Sequence, residues 1–392
     1  MRQPRYLEAA IRDDLREKMA LVAGARQVGK TTLARSILDG EDAGLYLNWD
    51  SRDDRNEIRT ARWPGGEALV VLDELHKWRG WKGWLKGEFD KHRDHLRFLV
   101  TGSARLDVYR RGGDSLQGRY HHYRLHPFSV AELASGGAEP SVLVPGRELP
   151  IPRRGDPEIV NRLLATSGFP EPLLSGSART QRRWQKERLD RFFREDVRDL
   201  EAVRDLSSLQ LLADLLPERV GSPLSLNALR EDLEVSHRAA THWIDVLERL
   251  YHVVRVRPWM SPRVRSLRRM PKLYLLDWTL VAAPGPRFEN LVALHLLKLC
   301  HYLEDREGHA AELHYLRDRV GREVDFLVTV ARRPWFAVEA KLSETAIDPS
   351  LRYFRERLRL PFCYQVVLEG RRDFVEDGIR CLPAGEFLAA LV

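Results

Sequence analysis

The chain has little cysteine, little lysine and no long apolar run. Three cysteines in 392 residues, Cys300, Cys363 and Cys381, are too few for a disulfide framework. Their spacing suits no metal, and both features fit a reducing compartment. No run of about 18 apolar residues occurs, which excludes a membrane-spanning helix, and the mean hydropathy is −0.41. The opening residues, MRQPRYLEAAIRDDL, lack the apolar core of an export signal, so a cytoplasmic protein with no membrane partner is expected. Of 64 basic residues only ten are lysines and 54 are arginines. A GC-rich coding sequence explains such a bias. So does a polyanionic partner, because guanidinium forks suit phosphates. A net charge of +7 over the whole chain does not choose between them; the location of the charges has to.

What is present points to several domains, because 392 residues exceed one ordinary core. Residues 1–135 alternate apolar runs with helical stretches, the pattern of a parallel α/β sheet. The predicted strands are Met19–Gly24, Leu45–Trp49, Ala68–Asp73 and Leu96–Thr101, near-continuous apolar runs of the kind buried on both faces. Residues 136–220 read as a Gly/Pro/Ser-rich linker followed by a charged helical segment. Residues 221–271 read as helix, turn, helix and strand, and residues 272–392 return to mixed α/β character.

The first domain holds a phosphate-loop motif. Gly24-Ala25-Arg26-Gln27-Val28-Gly29-Lys30-Thr31 matches G-x-x-x-x-G-K-[ST] and lies between an apolar strand and a helical run beginning Thr31-Thr32. Its glycines let successive backbone N–H groups face phosphates, and the helix N-terminus adds a favourable dipole. Lys30 would reach the β/γ-phosphates of ATP, and Thr31 would place a hydroxyl on Mg2+. A second strand, Ala68–Asp73, ends in Asp73-Glu74. Asp73 would hold the Mg2+ shell and Glu74 would polarise the attacking water, a pairing that favours a hydrolase over a small-molecule kinase. The strand ending Thr101-Gly102-Ser103 offers Ser103 or Thr101 as a sensor of the γ-phosphate. Arg119 reads either as an arginine finger acting across a subunit interface or as a solvated surface arginine.

The ordered segments GARQVGKTTL, LVVLDELHKW, LVTGSARLD, SLQGRYHHYRLHPFSVAEL, SGFPEPLL, RFFREDVRDL, PKLYLLDWTLVAA, GPRFENLVALHLLK and GREVDFLV span almost the whole chain. In them the chain resembles prokaryotic AAA-type ATPases that carry a C-terminal domain of unknown function related to restriction-endonuclease-like nucleases. That resemblance implies ATP binding and hydrolysis, and a homo-oligomer of AAA-like subunits such as a hexamer-like ring.

In the middle segment, Ser225–Leu229 begins one helix and Ser236 caps a second, His237–Tyr251, in the order of a winged helix-turn-helix. His237, Arg238 and Thr241 would sit where DNA contacts are made. Between Arg249 and Leu276 there are eight basic residues, Arg255, Arg257, Arg263, Arg265 and Lys272 among them, and no acid. Such a stretch can track a phosphate backbone, or it is the solvated loop of a protein-binding module.

The C-terminal segment carries Glu289 in a helical run, Asp325 in EVDFLV, and Glu339-Ala340-Lys341 after a hairpin. This is the order of a PD-(D/E)xK nuclease core, in which Asp325 and Glu339 would bind Mg2+ or Mn2+. Lys341 would position water, and Glu289 would complete the acidic shell. The expected fold is therefore α/β: an AAA-type parallel sheet, a winged helix-turn-helix and a restriction-endonuclease-like domain. Three functions remain open: a DNA-associated ATPase that remodels or translocates on DNA, an ATP-dependent DNA nuclease, and a nucleotide-switched protein scaffold.

Overall fold

The computed structural model describes residues 3–103, 106, 116–137, 139–141, 143–197, 205–260 and 270–392. The chain packs as two compact units, one of residues 1–127 with 137–139, the other of residues 128–136 with 140–392.

In the first unit the elements run α1 (Glu8–Asp14), β1 (Met19–Gly24), α2 (Lys30–Asp39), β2 (Gly44–Asn48), α3 (Arg52–Thr60), β3 (Ala68–Asp73), α4 (Trp81–His92), β4 (Leu96–Thr101) and β5 (Tyr120–Leu125). The five strands form one parallel sheet in the order β2-β3-β4-β1-β5. Every residue of β1 and β3 is buried, as expected for central strands covered on both faces. The carboxyl ends of β1, β3 and β4 therefore lie side by side in the middle of the sheet, where open α/β sheets bind ligands. The strand β5 was not expected from the sequence. Its residues YHHYRL are largely polar, and an edge strand with one neighbour need not be apolar on both faces. Beside β2 and β3, Trp49 stacks on Trp78 at 4.9 Å and Trp78 meets Trp84 at 5.1 Å.

The second unit opens with α5 (Val130–Ala134), followed by α6 (Pro157–Thr166), α7 (Pro170–Ser175), α8 (Ala178–Arg191) and α9 (Leu206–Leu215). Residues 143–156, read from sequence as part of a linker, are packed rather than tethering: Leu143 and Leu149 are buried, and Trp335 donates its indole N–H to the Arg147 carbonyl at 2.7 Å. Next come α10 (Leu226–Asp232), α11 (His237–Arg249), β6 (Val253–Pro258) and β7 (Lys272–Leu275). Ser236 caps α11 by accepting from the Ala239 N–H at 3.1 Å. Strands β6 and β7 pair antiparallel, and bridges from Val220 and Pro223 to β7 complete a winged-helix order.

The remaining elements are α12 (Pro284–Asp305), β8 (Ala311–Arg317), β9 (Glu323–Val330), β10 (Arg333–Ser343), α13 (Pro349–Leu358), β11 (Phe362–Glu369), β12 (Phe374–Glu376), β13 (Ile379–Pro383) and α14 (Ala384–Ala389). Their sheet does not stop at the C-terminal segment. Arg257 and Pro258 of β6 pair with His314 and Tyr315 of β8, so the order is β12-β13-β11-β10-β9-β8-β6-β7. The wing strands and the C-terminal core share one eight-stranded sheet.

Candidate nucleotide site and the C-terminal acid cluster

The loop between β1 and α2 needs its glycines. A Cβ on Gly24 would lie 2.6 Å from the Leu125 carbonyl oxygen, and Gly29, at φ 101°, is the left-handed N-cap of α2. Gln27 is also left-handed, at φ 63°, and its Oε1 is buried without a hydrogen-bond partner. Ala25 and Val28 are buried, Arg26 is half-buried and Thr32 is exposed. Lys30 is 6% exposed, and its ammonium donates to the carbonyls of Gly24 at 3.0 Å and Ala25 at 2.7 Å. Arg5 braces the loop by donating to the Val28 carbonyl at 2.9 Å.

Strand pairing delivers the carboxylate. The register of β3 sets Asp73 beside Asn48 on one side and Thr101 on the other. The Thr31 hydroxyl donates to Asp73 Oδ2 at 2.8 Å, the Tyr46 hydroxyl donates to the same oxygen at 2.6 Å, and the Thr101 hydroxyl donates to Oδ1. Burial, followed by the Asp73 carboxylate, pushes the Tyr46 phenol up to about 12. Tyr46 is a member of this site that the sequence did not single out.

Glu74 follows in a left-handed conformation, at φ 58°. Its carboxylate lies 3.3 Å from Lys77, which also pairs with Asp50 at 2.6 Å. Ser103 Oγ is 3.0 Å from His76 Nε2, so the residues after β3 and β4 are joined. Arg119 is half-buried and held bidentately by Asp90, at 2.7 and 2.9 Å. The residues at the head of α2 fit a magnesium nucleotide. Thr31 and Asp73 are hard oxygen donors already aimed at each other, and the loop cradles what an anion would fill.

On the winged helix, His237 and Arg238 are exposed and Thr241 is half-buried. Arg255 is committed elsewhere: it pairs with Asp245 at 2.8 Å and with Glu248, both on α11. Arg257 is exposed. Arg263 and Arg265 lie outside the described residues. Lys272, counted in the sequence among the cations of an acid-free stretch, is 1% exposed and faces acids from other elements.

Two of those acids, Glu289 and Asp325, belong to the expected nuclease core, and the fold brings them together; Glu323 was not expected there. Lys272 Nζ lies 3.0 Å from Glu289, 2.7 Å from Glu323 and 3.3 Å from Asp325. The Tyr274 hydroxyl donates to Glu289 at 2.7 Å. Asp325 accepts from the Ala340 N–H at 3.0 Å, while its own N–H donates to Glu339 at 3.2 Å. Lys341 lies between Glu339 at 2.8 Å and Asp348 at 2.9 Å. Burial first, then the neighbouring Asp325, raises the carboxyls of Glu289 and Glu339 well above the usual range. Among the described residues, no group of three or more His, Cys, Asp or Glu side chains is arranged to hold a metal ion. Lys272, which was not counted with the cluster in the sequence, meets three of its carboxylates, those of Glu289, Glu323 and Asp325.

Comparison with known proteins agrees with this architecture. Residues 16–134 match the model of an AAA domain, residues 157–285 a domain of unknown function (DUF8612), and residues 284–387 a domain of unknown function (DUF4143). The chain carries an AAA domain with a P-loop ATPase fold, and a C-terminal DUF4143 domain in a mixed sheet. It is 24% identical over 388 residues to an uncharacterized protein of Mycobacterium tuberculosis, covering 95% of this chain and 81% of the relative. An uncharacterized protein of Methanocaldococcus jannaschii is 22% identical over 363 residues, covering 87% and 79%. Among solved structures, a Walker-type ATPase of Pyrococcus abyssi aligns with a TM-score of 0.42 and 17% identity, over 70% of this chain and 93% of that one. The Aeropyrum pernix ORC1 protein, solved in complex with DNA, aligns at 0.35 and 16%, over 73% and 92%. No helix among the described residues is long and apolar enough to cross a membrane.

Proposed function

We propose that the chain is a Mg2+-dependent ATPase that couples hydrolysis to remodelling of DNA or movement along it. The observation that carries the ATPase reading is the convergence of Thr31 and Thr101 on Asp73 beside the phosphate loop, with Glu74 next in sequence. Lys30, now bonded to loop carbonyls, exchanges them for the stronger acceptors of a triphosphate, because charge-assisted hydrogen bonds outweigh neutral ones. Thr31 and Asp73 would hold Mg2+, which when bound offsets phosphate charge. Glu74 takes the proton of the attacking water once it leaves Lys77. Ser103, just past β4 and 3.0 Å from His76, would report the γ-phosphate to the segment carrying Glu74; Thr101, the alternative sensor, would act through Asp73.

The DNA reading is supported by the exposed His237 and Arg238 on α11 and by Arg257, with Arg263 and Arg265 in the sequence that follows. Assembly into a homo-oligomer, with Arg119 released from Asp90 to serve a neighbouring subunit, belongs to the same proposal.

ATP turnover by the full chain tests it. Glu74→Gln should retain ATP and lose roughly 10²- to 10⁴-fold in kcat, the worth of a general base. Lys30→Ala should lose binding. Turnover unchanged in Glu74→Gln removes the residue from the mechanism. Turnover indifferent to DNA would leave the nucleotide-switched scaffold as the better reading.

A further inference from the structure

The C-terminal cluster contains a feature that a metal-dependent nuclease centre has no use for. Lys272 comes from β7, the strand after the winged helix, and its ammonium reaches across to three acids on two other elements: Glu289 of α12, and Glu323 and Asp325 of β9. It is 1% exposed and also stands 5.7 Å above the Tyr315 ring. Burying an ammonium costs several kcal/mol, by order of magnitude, unless partners surround it. Here three carboxylates and a π-face do.

The two acids that would ligate a metal have their oxygens engaged by the chain itself. Asp325 Oδ1 accepts from Lys272 and Oδ2 from the Ala340 N–H. Glu339 Oε1 accepts from Lys341 and Oε2 from the Asp325 N–H. Lys341 is shared with Asp348, and Arg317 covers the second oxygen of Glu323 at 2.8 Å. A divalent ion approaching Asp325 would meet the Lys272 ammonium, which lies within 3.3 Å of both Glu289 and Asp325.

We infer that Lys272 is the resident cation of this cluster. Its positive charge sits on Asp325, one of the two acids that would ligate a divalent ion, so the domain binds no catalytic metal, and the cluster instead pins the wing strand β7 to α12 and β9. The assignment is independent of the ATPase reading.

Titration of Mn2+ into the nucleotide-free full chain, with free Mn2+ followed by its paramagnetic resonance signal, tests it. Mn2+ held at Thr31 and Asp73 does not depend on Asp325, so the comparison with Asp325→Asn isolates the C-terminal cluster. The wild type should show no Mn2+ site that Asp325→Asn removes. Lys272→Met, which keeps an unbranched stem and drops the charge, should gain one Mn2+ per chain, lost again when Asp325→Asn is added. An Asp325-dependent site in the wild type overturns the assignment. So does a folded Lys272→Met that gains none. If circular dichroism shows Lys272→Met unfolded, the wild type against Asp325→Asn still decides.

Discussion

At the scale of single residues, the nucleotide site divides into what a motif can show and what only strand pairing can. Lys30, Thr31, Asp73 and Glu74 could be put forward from sequence because phosphate chemistry demands those types at fixed spacing and at strand ends. Tyr46 was not, because its partnership with Asp73 depends on which residues β2 and β3 place side by side. Its hydroxyl fixes the oxygen that Thr31 also uses, and removing such an outer partner of a metal ligand commonly costs 10- to 100-fold in metal affinity. Tyr46→Phe should therefore raise the Mg2+ concentration for half-maximal turnover by roughly tenfold or more. An unchanged Mg2+ requirement would mean that Thr31 and Thr101 position Asp73 unaided. Lys272 escaped sequence reading for a related reason: its basic neighbours in sequence are not its neighbours in space, and nothing in a one-dimensional charge count shows a side chain turning inward.

At the scale of elements, two contacts make separate predictions. The first is the docking of α5 on α12. His295, buried on α12, accepts the Val130 N–H on Nε2 at 3.0 Å, while its Nδ1 lies 2.8 Å from the Leu291 carbonyl. That pair of partners requires the neutral ring with its proton on Nδ1. Burial above all pulls its pKa down to about 4. The unfolded chain takes up this proton near the ordinary histidine value and the native chain does not, so acid favours unfolding. The cost from His295 is about 1.4 kcal/mol per pH unit between roughly pH 6.5 and 4. Urea unfolding of the wild type and His295→Gln should show a stability difference that changes by that slope as pH falls, the wild type losing more. Parallel curves would mean that the ring is protonated in the folded protein.

The second contact separates the arginines of the wing. Arg238, exposed on α11, and Arg255, ion-paired to Asp245 and Glu248, were both DNA-contact candidates in sequence, one on the recognition helix and one in the acid-free stretch that follows. Arg238→Ala should weaken DNA binding and reduce the slope of log affinity against log salt by about one. Arg255→Ala should leave the slope alone and instead loosen β6 from α11. Equal losses of slope would show that Arg255 leaves its acids to bind DNA. The helix pair itself was readable from caps and periodicity. The continuation of β6 onto β8 was not, since sheet neighbours distant in sequence leave no local signal.

At the scale of the whole molecule, the AAA domain and the DUF4143 domain are each recognisable, and the proposed ATPase reading rests on the first. The second gathers Glu289, Asp325, Glu339 and Lys341 in the order of a nuclease core and then answers them with Lys272. Plasmid or branched DNA incubated with Mg2+ should accordingly remain uncut by the wild type and by Asp325→Ala alike; cleavage abolished by Asp325→Ala would restore the nuclease reading. The basic excess of seven charges bears on the proposal only where exposed arginines lie on the winged helix, and there the proposed reading makes DNA the partner of ATP turnover. The most direct measurement is the steady-state ATPase rate of the full chain across single-stranded, duplex and branched DNA at rising salt. The rate should increase with at least one of these DNAs, and the increase should fade as salt releases the phosphate contacts. A rate identical with and without every DNA, at low and high salt, would contradict it.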